Sequence, residues 1–282
     1  MDTITKIAPV DYLVIGHISC DLTDMGKTLG GTASYAALTA KSIGLKVGII
    51  TSWGNEIPLT PLDGISIINL PTDSSTTFKN LYTETGRKQI LHHTALPLDQ
   101  YLIPENWKNT PIVHLGPIAR EVSPSLISAF SNSLIGLTPQ GWYRTWDETG
   151  EVKQSKWEEA SQFLPQASIT IISTEDVDGN EEIIEEIAFM CPVFVVTESY
   201  FGARVYWHGD VRHFNAPSVI EKDATGAGDI FAASFFIRFF KTKNPWEAAR
   251  FANQIASYSV TRSGLDSIPK REEIKLATTE VF

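Results

Sequence analysis

Tyr12 to Ile18 is an apolar run of strand length, and Thr32 to Ile43, rich in Ala, Leu and Ser, reads as a helix entered through Gly30-Gly31. Lys46 to Trp53 follows as a second buried strand. Strand, excursion, helix and strand make a crossover unit that favours parallel pairing. The alternation recurs downstream, where Ile112 to Leu115, Leu134 to Thr138, Ser168 to Ser173 and Val193 to Thr197 are short apolar runs. Helical candidates around Pro124 to Asn132, Ser155 to Leu164 and Asn180 to Met190 separate them. The pattern predicts a three-layer α/β/α sandwich around a mostly parallel central sheet.

Two segments depart from this rhythm. Asp21 to Leu29 lies between the first strand and its helix, and Thr76 to Ala95 holds two extended runs around a turn at Glu84-Thr85-Gly86-Arg87. In Phe78 to Thr83 apolar and polar residues partly alternate, as in a sheet wet on one face. Together they predict a small antiparallel β-flap, with lid segments at about 19–29 and 75–95. An ordinary hairpin at the edge of the main sheet is the other reading. Without repeats, low-complexity tracts or linkers, residues 1–282 are expected to form a single domain carrying this insertion. The carboxy-terminal third is helical after a hairpin-like run from Arg204 to Asn215. Asn244-Pro245-Trp246-Glu247 starts one helix with a cap residue, a proline and an acid in helix-starting order, and Ser267-Ile268-Pro269 starts a last short one.

Bulk properties narrow the partners. At 282 residues and 43% hydrophobic the chain can bury one large core, and its net charge of -10 disfavours nucleic acid and anionic lipid surfaces. A small-molecule substrate suits it better. Met1 to Val10 lacks the basic start and apolar run of a signal peptide, and no run approaches the roughly 18–20 apolar residues of a membrane span, so a cytoplasmic location is expected. Cys20 and Cys191 are too few and too far apart for a disulfide framework or a zinc site.

The most informative stretch is Asp223-Ala224-Thr225-Gly226-Ala227-Gly228-Asp229, which runs into an apolar helix at Ile230 to Phe240. A helix amino terminus has unpaired N–H groups and a partial positive charge, and glycines let an anion approach closely. A carboxylate there would repel a bound phosphate. It makes sense if Asp229 takes a proton from a hydroxyl lying between it and a γ-phosphate. Asp229 as an ordinary first-turn acid is the plainer alternative.

This run resembles the signature of the ribokinase-like, or PfkB, family of carbohydrate kinases, and Gly30-Gly31 with the helix to Ile43-Gly44 is similar to that family's other signature. The resemblance implies a ribokinase-like fold and an ATP-dependent transfer of phosphate to a small sugar or polyol of inositol, pentose or ketohexose type. Asp229 would be the base, with the backbone of Gly226, Ala227 and Gly228 as the anion hole. Asp21, Gly30 and Gly31 would bind the acceptor, although Asp21 could equally be a turn former. Thr197, Gly202, Thr225 and Asn253 would line the nucleotide site. Carbonyls around Asp223 and Thr225, with the loop after Thr261, would hold K+ in relatives that use it. The chain would act as a monomer or as a homodimer through the lid. A nucleoside kinase of the same family, and a non-catalytic sugar or nucleotide sensor, are the alternatives.

Two departures from the family pattern bear on the site. An Asn-x-x-Glu motif that helps organise Mg2+ is replaced by Ser173-Thr174-Glu175-Asp176, leaving Glu175 and Asp176 to act on Mg2+ through water or merely to open a helix. Thr138-Pro139-Gln140-Gly141-Trp142-Tyr143-Arg144 looks closer to the inositol-kinase branch. Arg144 would contact nucleotide phosphate, or the aromatic cluster would cover a sheet edge. Gly26-Lys27-Thr28 lacks the leading glycine of a P-loop, the first strand lacks a dinucleotide fingerprint, and His92-His93 has no companion acid at metalloprotease spacing.

Overall fold

The computed structural model describes residues 7–24, 26–83 and 86–279. The reading of Met1 to Val10 at residues 1–6, and the turn at Glu84-Thr85, lie outside them.

The strands are β1 (Tyr12–Ile15), β2 (Ser19–Thr23), β3 (Gly26–Gly30), β4 (Val47–Trp53), β5 (Ser66–Pro71), β6 (Thr77–Thr83), β7 (Gly86–His93) and β8 (Ile112–Leu115). They continue as β9 (Leu134–Leu137), β10 (Arg144–Trp146), β11 (Val152–Gln154), β12 (Ile169–Ser173), β13 (Val193–Thr197), β14 (Ala203–Trp207) and β15 (Asp210–Phe214). The helices are α1 (Thr32–Ser42), α2 (Ala160–Phe163), α3 (Glu181–Met190), α4 (Ala227–Thr242), α5 (Pro245–Ser259) and α6 (Arg271–Thr278).

A nine-stranded sheet in the order β15-β14-β13-β12-β9-β8-β1-β4-β5 forms the middle layer. Pairing is parallel from β13 through β5, while β14 and β15 add the antiparallel edge expected from Arg204 to Asn215. Successive residues of β1 feed opposite faces: Tyr12 and Val14 pack with α1, α4 and α5, and Leu13 and Ile15 pack with Trp107, Phe130 and Ile184 of α3. Strands buried on both faces read as continuous apolar runs, which is why the sequence located them well.

The second face is less helical than its sequence pattern predicts. Pro124 to Asn132 forms a 3-10 turn over Pro124–Ala129, and Ser155 to Leu164 yields the single turn of α2. Pro124 starts one segment, and Pro165 limits the other. Asn180 and Asn244 cap α3 and α5 by accepting two backbone N–H bonds each, as their positions before acidic first turns predict.

The excursions form their own four-stranded sheet, β3-β2-β6-β7, and are not an edge of the main sheet. Its two hairpins are antiparallel, but β2 and β6 pair in parallel, a feature alternation could not predict. Phe78 and Leu91 of this flap pack with Ile118 and Ala119 in the loop after β8. The flap therefore stands over the carboxyl ends of the main strands, where open α/β sheets leave a crevice.

Candidate active site

Two helices begin in this crevice. The N-cap of α1 is Gly31 and that of α4 is Gly226, both at positive φ and both without a side-chain cap. No side chain therefore claims their first N–H groups, and the two positive helix ends face the same region. Gly226, at φ 77°, also has the Tyr35 ring of α1 so close that an added Cβ would lie 2.3 Å from it. Only glycine fits there.

Asp229 sits half-buried in the first turn of α4 and accepts a hydrogen bond from Thr32, the first residue of α1. Burial pushes its pKa up to about 6, with the charges of Asp176 and Asp21 adding to the rise and Thr32 and Arg144 opposing it. Asp21, Asp176 and Arg144 thus share an electrostatic environment with Asp229 although up to about two hundred residues of chain separate them. Ser19 donates to the Asp21 carboxylate at 2.9 Å, and that carboxylate lies over Gly30, where an added Cβ would meet it at 2.2 Å. The flap's first strand and the Gly30-Gly31 turn are thereby fitted to each other.

Around Gly226 the amides are not equivalent. The Ala227 N–H closes the turn onto the Ala224 carbonyl at 3.1 Å, so the expected anion hole loses that donor. Gly228 occupies the second helical position, where an α-helix supplies no backbone acceptor. Thr225 donates its N–H to Asp223, whose other carboxylate oxygen accepts from Gly264 at 3.1 Å. Burial works to raise the Asp223 pKa, and the Thr225 and Gly264 donors outweigh it and hold it below the usual range. Asp223 binds the glycine turn to the loop after Thr261, so the two segments read as a K+ cradle are adjacent.

Several expected residues carry structural bonds. Asn253 is buried and donates to the Phe214 carbonyl, so its side-chain nitrogen braces the end of β15 in place of an open donor face. Gly202 packs against the Phe214 to Ala216 backbone, and Thr197 bonds the Ile172 carbonyl. Asp176 completes a capping box with the N-cap Ser173, one oxygen accepting from the Ser173 N–H and the other from Gln140, while Glu175 is exposed. No cluster of three His, Cys, Asp or Glu fit to cage a metal occurs among the described residues. Mg2+ is commonly held by one or two carboxylates with water and substrate phosphates, and Glu175 beside Asp176 fits that looser mode. Arg144 lies on the flap side, over the Phe78 ring at 6.0 Å and donating to the Ile118 carbonyl at 3.1 Å.

Sequence reasoning missed Thr32, Tyr35 and a buried pair, His17 and Glu121. The polar residue opening α1 after Gly30-Gly31 was the available signal for Thr32. Beneath the site, Tyr12, His114 and Thr138 form a buried chain of 2.8 Å bonds, and burial pushes the His114 pKa down to about 3, keeping it neutral. Both thiols are free, Cys20 buried and Cys191 half-buried, with burial raising the latter's pKa to about 12. No helix among the described residues is long and apolar enough to cross a membrane.

A mixed nine-stranded α/β sheet with a β-flap over its carboxyl edge, and a glycine-capped helix carrying an acid, make up a ribokinase-like fold. Residues 157–271 match the model of the pfkB family carbohydrate kinases. The chain is 24% identical over 260 residues to a cytidine kinase of Thermococcus kodakarensis, covering 86% of this chain and 92% of that one. It is 25% identical over 191 residues to a fructokinase of Escherichia coli, covering 60% and 61%. Among solved structures, a pyrophosphate-dependent myo-inositol-1 kinase converted into a myo-inositol-3 kinase superposes with a TM-score of 0.80 at 20% identity, over 95% of this chain and 98% of that one. Ribokinase of Thermotoga maritima superposes with a TM-score of 0.74 at 21% identity, over 95% and 99%.

Proposed function

We propose that this protein transfers the γ-phosphate of ATP to a hydroxyl of a small sugar or polyol, with Asp229 as the general base. The observation that carries the reading is the state of Asp229. Its carboxylate lies in the first turn of a helix whose N-cap is an uncapped glycine, is held by Thr32, and has its pKa raised to about 6, close to working pH. A group poised there is ionised near neutrality yet basic enough to accept a hydroxyl proton.

In this reading the acceptor's O–H bond breaks toward Asp229 as its oxygen bonds the γ-phosphorus, and the bond to the bridging oxygen breaks to release ADP. The N–H groups of Gly226 and Gly228 stabilise the transferring phosphoryl group; the Ala227 amide is committed to the turn. Asp21 and the Gly30-Gly31 turn hold acceptor hydroxyls. Thr197, Gly202 and Thr225 border the donor. Glu175 and Asp176 would hold Mg2+ through water, and the ion would offset phosphate charge. The flap acts as a lid that excludes water which would otherwise consume ATP.

A nucleoside acceptor is the second reading, favoured by the length of the match to the cytidine kinase. One screen tests both: ADP release with Mg2+, with and without K+, across inositols, pentoses, hexoses and nucleosides. Pyrophosphate in place of ATP forms a parallel arm, because several superposing structures are described as pyrophosphate-dependent kinases. Absence of acceptor-dependent turnover in every arm would overturn the proposal.

A further inference from the structure

At the end of β1 the chain leaves the sheet to build the flap, and a buried carboxylate sits at that exit. Gly16 still donates to Ile50 of β4, but β1 and β8 crowd there, and a Cβ on Gly16 would lie 2.4 Å from the Gly116 carbonyl oxygen. His17 therefore has no strand to pair with, and its N–H goes to Glu121 at 3.0 Å. The same carboxylate accepts from Ile118 at 3.0 Å and from Ala119 at 2.7 Å, while Glu121 is 3% exposed. A charge so buried is costly unless its oxygens are saturated, and here three backbone donors saturate it.

The His17 ring reaches the flap's other attachment. Its Nε2 lies 2.9 Å from the Leu96 carbonyl, which can only accept, so Nε2 carries the hydrogen. Its Nδ1 lies 2.6 Å from the Thr76 hydroxyl, which also accepts the Ala95 N–H at 2.9 Å. Thr76 precedes β6, Ala95 and Leu96 follow β7, and the Thr76 carbonyl accepts the Cys20 N–H of β2 at 2.8 Å. The fourth attachment closes on the same residue, because a Cβ on Gly31 would lie 2.6 Å from the His17 carbonyl oxygen. All four strand roots of the flap thus meet around one buried residue, two of them at its ring and one at its carbonyl. His17 and Thr76 are fully buried.

We infer that Glu121 and His17 are positioning residues that fix the flap's roots against the main sheet, and through them the acceptor-binding edge of Asp21 and Gly30-Gly31. The last clause rests on the proposed phosphotransfer; the first does not. Neither residue touches the reacting atoms. Glu121 also holds Ile118, whose carbonyl accepts from Arg144, so the loop under the flap and the root of β2 are set by one carboxylate.

Amide hydrogen exchange of the full-length protein without substrate tests the first part. In Glu121→Gln, which puts an N–H2 among backbone donors, the amides of β2, β3, β6 and β7 should exchange on the order of tenfold faster, with β8 and β9 unchanged. Thr76→Val, which removes only the hydroxyl, should loosen the same strands if Glu121→Gln folds poorly. His17→Gln, which keeps a donor for Leu96, should exchange more slowly than His17→Leu. Flap exchange at the wild-type rate in Glu121→Gln and Thr76→Val, or an equal rise in β8 and β9, would overturn the pair's role. For an acceptor found by the screen above, the Thr76→Val KM should rise on the order of tenfold while the ATP KM stays within about twofold. Equal changes in both would overturn the link to the acceptor edge and leave the exchange result standing.

Discussion

Thr32, which opens α1, donates a hydrogen bond to Asp229 in the first turn of α4, joining the starts of two helices nearly two hundred residues apart. The bond favours the ionised carboxylate and works against burial, which still holds the pKa up at about 6. A base must be ionised to act, so kcat/KM should fall on the acid side of about pH 6. Thr32→Val removes a stabiliser of the anion and should move that limb to higher pH. A pH–rate profile measures the shift, and an unmoved or lowered limb would contradict it.

Asp229→Asn should lower turnover by a factor on the order of 10² or more while ATP binding survives, as read by single-turnover kinetics and calorimetry.

The same substitution should stabilise the protein at alkaline pH. With a folded pKa of about 6 against 3.8 for an ordinary Asp, the folded state holds the proton more tightly than the unfolded chain. Its stabilising contribution is complete below about pH 4 and disappears as pH rises through 6. Above pH 7 the half-buried anion therefore costs up to about 2–3 kcal/mol, less the share solvent screens, which Asn avoids. The Tm of Asp229→Asn should exceed wild type at pH 8 and approach it near pH 4. A lower Tm at pH 8 would count against burial as the cause.

Gly226→Ala places a Cβ against the Tyr35 ring and holds a non-glycine residue at φ 77°. It should destabilise by at least about 1–3 kcal/mol and abolish turnover, because the turn must shift to relieve the contact. Adding Tyr35→Ala should relieve the steric share and leave the backbone share. Urea denaturation of the single and double variants separates the two.

Asp223→Asn should cost roughly 1–2 kcal/mol at pH 7, since an amide can accept from Thr225 or Gly264 but turns a donor toward the other. The depressed carboxylate pKa gives the wild type an advantage that is present above the ordinary Asp value and lost as pH falls through the folded one. The stabilities of wild type and variant should converge in strong acid. The KM for ATP should also rise, because the glycine turn loses its tie to the Gly264 loop.

How far the sequence reached follows from the range of each interaction. The strands Ile112–Leu115 and Val193–Thr197 and the Asn244-Pro245 helix start were legible because burial on both faces and cap chemistry act within a few residues. The glycine-rich turn into α4 and its acid were legible for the same reason. Tertiary structure decided what depends on distant partners. It paired β2 with β6 in parallel, shortened the Pro124 segment to a 3-10 turn, and spent the Ala227 amide and the Asn253 side chain on internal bonds. It also brought Thr32 to Asp229 and hung four strand roots on His17, more than a hundred positions from its partner Glu121. A hydrogen bond across such a separation leaves no local pattern, so the sequence by itself named the acid while only the folded chain set its pKa and its neighbours.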